Sequence, residues 1–158
     1  MTMTSSSSDL QNETWRSFNA MRVALFARLV KDLADNCKLT EAEYLVLFTL
    51  SEAPNHQMRS MDLASQLGWQ RSRTSQQLGR MAERGLVTRM ECDTDRRGLI
   101  EVLTDEGLDR IVAAAPIHAQ AVKHCFIDVL SDQQLAALSE ISLTILKHID
   151  VEHHNENT

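Results

Sequence analysis

The sequence predicts a mainly α-helical chain carrying one small β-hairpin, and three observations lead there. Apolar residues recur at helical spacing along most of its 158 positions. Two four-residue patterns, Thr40-Glu41-Ala42-Glu43 and Ser131-Asp132-Gln133-Gln134, have the capping-box form that opens helices. Between them, residues 63–107 change period, from helical spacing to two short strand-like runs and back.

In chain order, residues 1–11 are polar and Ser-rich and are expected to form a disordered tail. Residues 12–36 predict a long helix with Trp15, Phe18, Leu25, Leu29 and Leu33 on one face, joined there by the stem of Arg22. The first capping box starts a helix to about Glu52 with Leu45 and Phe48 inward, and residues 54–57 predict a loop. Ser60 is the expected cap of a third helix bearing Leu63, Ala64 and Leu67. Gly68 and Trp69 turn the chain into a fourth helix, with Trp69 either plugging the core or lying against a bound partner. Gly85 suits the residue just past that helix. Residues 86–91 and 99–104 are the strand candidates, and in the second of them Ile100, Val102 and Thr104 alternate with Glu101 and Leu103. A helix from Thr104 to about Val129 is interrupted by Pro116, where a kink is expected. The last helix, to about Asp150, aligns Leu135, Leu138, Ile141, Ile145 and Ile149, and residues 151–158 form a polar tail.

Composition limits what such a chain can do. At 43% hydrophobic residues it can build one real core. No apolar run nears the roughly 18 residues that span a bilayer, and the N-terminus lacks the basic-then-apolar order of a signal peptide, so a cytoplasmic protein without a membrane partner is expected. Cys37, Cys92 and Cys125 are widely spaced and show no zinc-ligand pattern, so no metal and no cofactor is expected. There is no GxSxG, P-loop, HExxH or Gly-rich dinucleotide loop, which argues against an enzyme.

The fourth helix carries the functional signal. At about 100° per residue, Thr74, Leu78 and Met81 share one narrow sector, while Ser72, Gln76 and Gly79 lie opposite, flanked by Arg73 and Arg80. Such a face fits a DNA major groove, where Arg pairs bidentately with guanine and Gln with adenine. Ser72, Arg73, Ser75 and Gln76 are the expected base readers, with Arg71 and Arg80 on phosphates. Arg96 and Arg97 sit in the turn-rich loop between the strands, where arginine suits the negative potential of a narrow minor groove. The net charge of −6 is unevenly spread: residues 59–97 hold eight Arg against five acidic residues, +3, leaving −9 for the rest. A basic reading surface on an acidic body keeps phosphate attraction local.

Gly85-Leu86-Val87, Asp95-Arg96-Arg97-Gly98, Leu103-Thr104 and Gly107, in that order and spacing, resemble the signature of the MarR family of winged-helix transcription regulators. The specific motif covers residues 63–107 and the general layout about 12–150. The resemblance implies one domain over 12–150. Its winged helix-turn-helix would span about 40–104, and helical dimerisation segments about 12–36 and 105–150. It implies residues 71–84 as recognition helix, Arg97 entering the minor groove, and Asp95 orienting the wing and recognition-helix arginines. Gln77 departs from the aliphatic residue common at that place in the family. The implied function is a sequence-specific regulator, usually a ligand-responsive repressor, acting on double-stranded DNA as a homodimer on a pseudo-palindromic operator.

The resemblance also implies a small aromatic or phenolic acid as effector. Trp15, Arg16, Phe18, Arg22 and His118 are candidate lining residues, because an aromatic wall with a cation suits an aromatic acid. Two alternatives stay open: a winged-helix protein-interaction module, and a thiol- or metal-sensing regulator of the same fold, with Cys92 beside the wing as the thiol.

Overall fold

Helix α1 spans Thr4–Asp32 and closes in a single π-helical turn at Leu33–Cys37; the structure, a computed structural model, describes residues 4–91 and 99–156. The tail expected over residues 1–11 is thus helical from Thr4. Extending an existing helix adds one backbone bond per residue with no second nucleation, so polar residues can continue it. At the other end α6, Asp132–Glu156, likewise runs past the expected stop near Asp150.

Helix α2, Glu41–Glu52, begins with the expected box: the Thr40 amide donates to Glu43 Oε2 at 2.9 Å, and the Glu43 amide to Thr40 Oγ1 at 3.2 Å. Glu43 is buried and paired with Arg84 from the end of α4. Burial pushes its carboxyl up, but the Thr40 and Arg84 donors outweigh that and hold it below the usual carboxylate range. The inward residues of α2 are Tyr44, Val46, Leu47 and Leu50, not Leu45 and Phe48. The α2 face that carries Glu43 is turned towards α4, so Leu45 is only partly buried and Phe48 stacks on Tyr44 at 6.0 Å with much of its ring exposed.

Three short strands form one antiparallel sheet in the order β1-β3-β2: β1 Gln57–Arg59, β2 Val87–Glu91 and β3 Leu99–Leu103. Strand β1 is not among the expected strands: it starts at Gln57, the last residue of the expected loop, and its three residues are too few to show an alternating pattern. In β3 Glu101 and Leu103 are buried, while Ile100 and Val102 are half-buried.

Between β1 and β2 lie α3, Ser60–Gln66, and α4, Arg71–Glu83. Both end in the same way. Gly68 and Gly85 take left-handed backbones, with φ of 63° and 71°. The amides that follow reach back: Trp69 to the Ala64 carbonyl and Leu86 to that of Met81, both at 2.9 Å, while Gly68 reaches Ser65 at 3.1 Å and Gly85 reaches Ala82 at 2.9 Å. Each is a complete Schellman closure. Ser60 does not cap α3: Arg59 holds the cap position without a side-chain bond, and the Ser60 hydroxyl points instead to β3.

Helix α5, Asp105–Val122, continues through Pro116 and stops short of Val129, at a π-helical turn over Lys123–Ile127. Its Ile111 and Ala114 join a core built on Leu33, Leu47, Leu50, Leu63, Leu78 and Met81. The chain divides into two compact units, Met1–Ala121 and Val122–Thr158. Residues 105–121 of the expected 105–150 dimerisation segment therefore belong to the same unit as the winged part. Within the second unit, α6 is opened by Ser131, whose hydroxyl accepts from the Gln134 amide at 3.3 Å.

Gly107, in the first turn of α5, sits against Leu86, the residue between α4 and β2. An added Cβ would overlap the Leu86 carbonyl oxygen and stand 2.8 Å from Leu103 Cδ1. Gly107→Ala is expected to destabilise the protein by about 1–3 kcal/mol, the usual cost of overpacking. A urea unfolding midpoint equal to wild type would show that the carbonyl can give way.

Candidate nucleic-acid interface

The exposed face of α4 comes from its period. Thr74, Gln77, Leu78 and Met81 are buried, which leaves Arg71, Ser72, Arg73, Ser75, Gln76 and Arg80 exposed together. Inward Thr74, Leu78 and Met81 match the helical count; Gln77 joins them. Its buried amide oxygen accepts from Arg80 Nη2 at 2.6 Å, so one arginine arm satisfies the polar group that replaces an aliphatic one.

Trp69 takes two roles at once. It packs half-buried against the core, and its ring lies under the Arg73 guanidinium, 4.4 Å from ring centroid to Cζ. The contact holds a flexible charged side chain over a rigid shelf at the start of α4 and limits its rotamers. The four-residue offset of Trp69 and Arg73 was visible in the sequence, but the N-terminal turn geometry that brings them together was not.

Behind α4 lies a polar knot that sequence reasoning missed. Glu101, fully buried in β3, accepts from Ser60 Oγ at 2.7 Å and from Arg89 Nε at 3.2 and 3.4 Å. Arg89 Nη2 reaches on to the Ser75 carbonyl at 3.1 Å. A signal existed: Glu101 is in phase with Leu103, the core residue of its strand.

Asp95, Arg96 and Arg97, with Cys92, lie outside the described residues. Cys37 and Cys125 are free thiols, half-buried, and burial pushes the Cys37 thiol up. Among the described residues no cluster of three His, Cys, Asp or Glu could hold a metal ion, and no helix is long and apolar enough to cross a membrane.

Of the five residues singled out for an effector, Trp15 and Phe18 stack on each other at 5.9 Å on the exposed part of α1, and Arg16 and Arg22 are exposed. His118 is set apart from them. It lines a cavity of about 90 Å³ with Phe26, Leu29, Glu41, Tyr44 and Leu45. Its ring meets Tyr44 at 4.5 Å, and its buried Nδ1 has no hydrogen-bond partner among the described residues.

This arrangement has relatives. The model of the MarR family matches residues 39–99. The fold is similar to that of AbsC, a MarR family transcriptional regulator from Streptomyces coelicolor, with 37% identity over 90% of this chain and 95% of that one, at a TM-score of 0.85. It is also similar to Sco3205, a MarR family transcriptional regulator from the same organism solved in complex with DNA, at 31% identity, 87% and 86% coverage and a TM-score of 0.83. The transcriptional repressor MprA of Escherichia coli K12 is 27% identical over 112 residues, 71% of this chain; the match spans 63% of that repressor's length.

The cavity histidine yields a pH test. Burial lowers the His118 pKa below its ordinary 6.5, so on acidification the unfolded chain takes up this proton before the folded one does. Stability from the neutral ring is present above 6.5 and is lost as pH falls through the lowered value. The melting temperature is expected to drop as pH falls below 6.5, and to drop less in His118→Gln. Parallel pH profiles for the two proteins would remove His118 as the cause.

Proposed function

The chain belongs to the MarR family, and on that premise we propose that it is a sequence-specific DNA-binding transcription regulator, a ligand-responsive repressor acting as a homodimer in the cytoplasm. The observation that carries this reading is the exposed α4 face. Four side chains able to read base edges, Ser72, Arg73, Ser75 and Gln76, stand together there, with Arg73 already braced on Trp69. Arg71 and Arg80 flank that face as phosphate contacts. Arg97, helped by Arg96 and oriented by Asp95, is the proposed minor-groove element of the wing. The relative solved with DNA supports the partner, and the repressor relative supports the sign of regulation.

Dimerisation is supported by apolar surface that each unit leaves uncovered. On α1, Trp15, Val23 and Phe26 are more than half exposed; on α6, Ile141, Leu143 and Leu146 are too. A second copy is the proposed cover, and a two-fold dimer would set its recognition helices about 34 Å apart, one turn of DNA. The effector is proposed to be a small aromatic or phenolic acid entering beside His118, whose unpartnered Nδ1 offers a hydrogen bond in a lining that is apolar but for Glu41 and Tyr44.

Selection of bound sequences from random duplex DNA, with the winner titrated at two salt concentrations, tests the whole reading. An inverted repeat with half-sites about one turn apart is expected, with affinity falling steeply as salt rises. Weak binding that tracks salt with no enriched motif would reject it. Arg73→Ala is expected to cost about 1–3 kcal/mol and relax the base preference, whereas Arg97→Ala should weaken binding with less change in preference. Light scattering should give twice the 17.8 kDa chain mass; a monomer would defeat the dimer.

A further inference from the structure

We propose that Arg89 and Glu101 are a positioning pair that sets how α4 presents its reading face relative to the hairpin stem, an inference that rests on the DNA-binding role above. Glu101 has no exposed surface, and the cost of desolvating a carboxylate in that position has to be offset by donors that meet its oxygens. Here the donors come from different elements. Ser60 at the first position of α3 supplies one, and Arg89, directly opposite on β2, supplies the other. The guanidinium then uses one of its two terminal nitrogens on α4, donating from Nη2 to the Ser75 carbonyl.

That carbonyl lies between Ser72 and Gln76, in the middle of the reading face's own stretch of helix. A main-chain carbonyl in a helix is already served by its own ladder. A second, charge-assisted donor therefore adds a lateral tether. Strands β2 and β3 are also the two that lead into and out of residues 92–98, which carry the wing arginines. One ion pair thus links the start of α3, the middle of α4 and both strands of the hairpin stem. Stability alone does not call for it, because apolar residues of similar volume commonly hold such a site as well or better. What an apolar pair would not supply is a directional bond to the recognition helix.

Arg89→Lys separates the two roles. An ammonium can stay against Glu101, but as a single point it cannot also span to Ser75. The variant is expected to melt close to wild type, yet bind the selected duplex roughly tenfold more weakly, as for a lost charge-assisted bond, and to discriminate less against altered half-sites. The double variant Arg89→Met with Glu101→Leu should regain any melting temperature that either single change loses, without regaining discrimination. Its salt slope should equal that of wild type.

Wild-type affinity and discrimination in either well-folded variant would overturn the pair's role. So would a slope smaller by about one, which would make Arg89 a phosphate contact instead. Failure of the wild-type protein itself to select any duplex would overturn the DNA-binding reading first, and is seen before any variant is made.

Discussion

A carboxylate sealed from water dictates its surroundings more strictly than any apolar side chain can, because each oxygen must be met by a donor in the right direction. Glu101 is such a group, and it stands where the sheet, the start of α3 and the back of α4 converge. Leucines such as Leu63, Leu78 and Leu47 hold these elements together by burial, which fixes distance well and orientation poorly. The ion pair supplies direction. The winged part is thus packed by a hydrocarbon core and aligned by polar contacts at a few sites, of which the second is Glu43 with Arg84, joining the start of α2 to the end of α4.

This division of labour changes how the arginines should be counted. In the sequence they form a positive field over residues 59–97. In the structure Arg84 and Arg89 are committed to buried carboxylates, and Arg80 gives one arm to Gln77. Among the described residues, Arg71 and Arg73 at the N-terminal end of α4 are exposed and free of such carboxylate partners. A helix N-terminus favours anions on its own account, so backbone and side chains there act with the same sign.

Much of this was legible in the sequence, for identifiable reasons. Thr40 with Glu43, and Ser131 with Gln134, mark helix starts because the cap is a local hydrogen-bond exchange that needs no tertiary partner. Gly68 and Gly85 mark helix ends because few other residues accept the left-handed backbone. The inward Thr74, Leu78 and Met81 follow from period alone. What stayed hidden depends on contacts between distant residues. The core face of α2 is chosen by what packs on it, so Phe48 looked inward and is not. Ser60 looked like a cap, but its hydroxyl serves a residue 41 positions away. Strand β1 exists because β3 offers it an edge, and its three residues carry no pattern of their own.

The paired glycine closures have a consequence for how such a protein can diversify. Helix α4 is bounded by main-chain bonds at both approaches, through Trp69 on one side and Leu86 on the other. Exchanging its outward side chains leaves those bonds untouched. Adding or removing one residue between them would rotate everything beyond it by about 100° and turn outward residues into the core. On the proposed DNA-reading role of α4, new sequence preferences are reachable by substitution and closed to insertion, so descendants of this chain should vary in α4 composition while keeping its length.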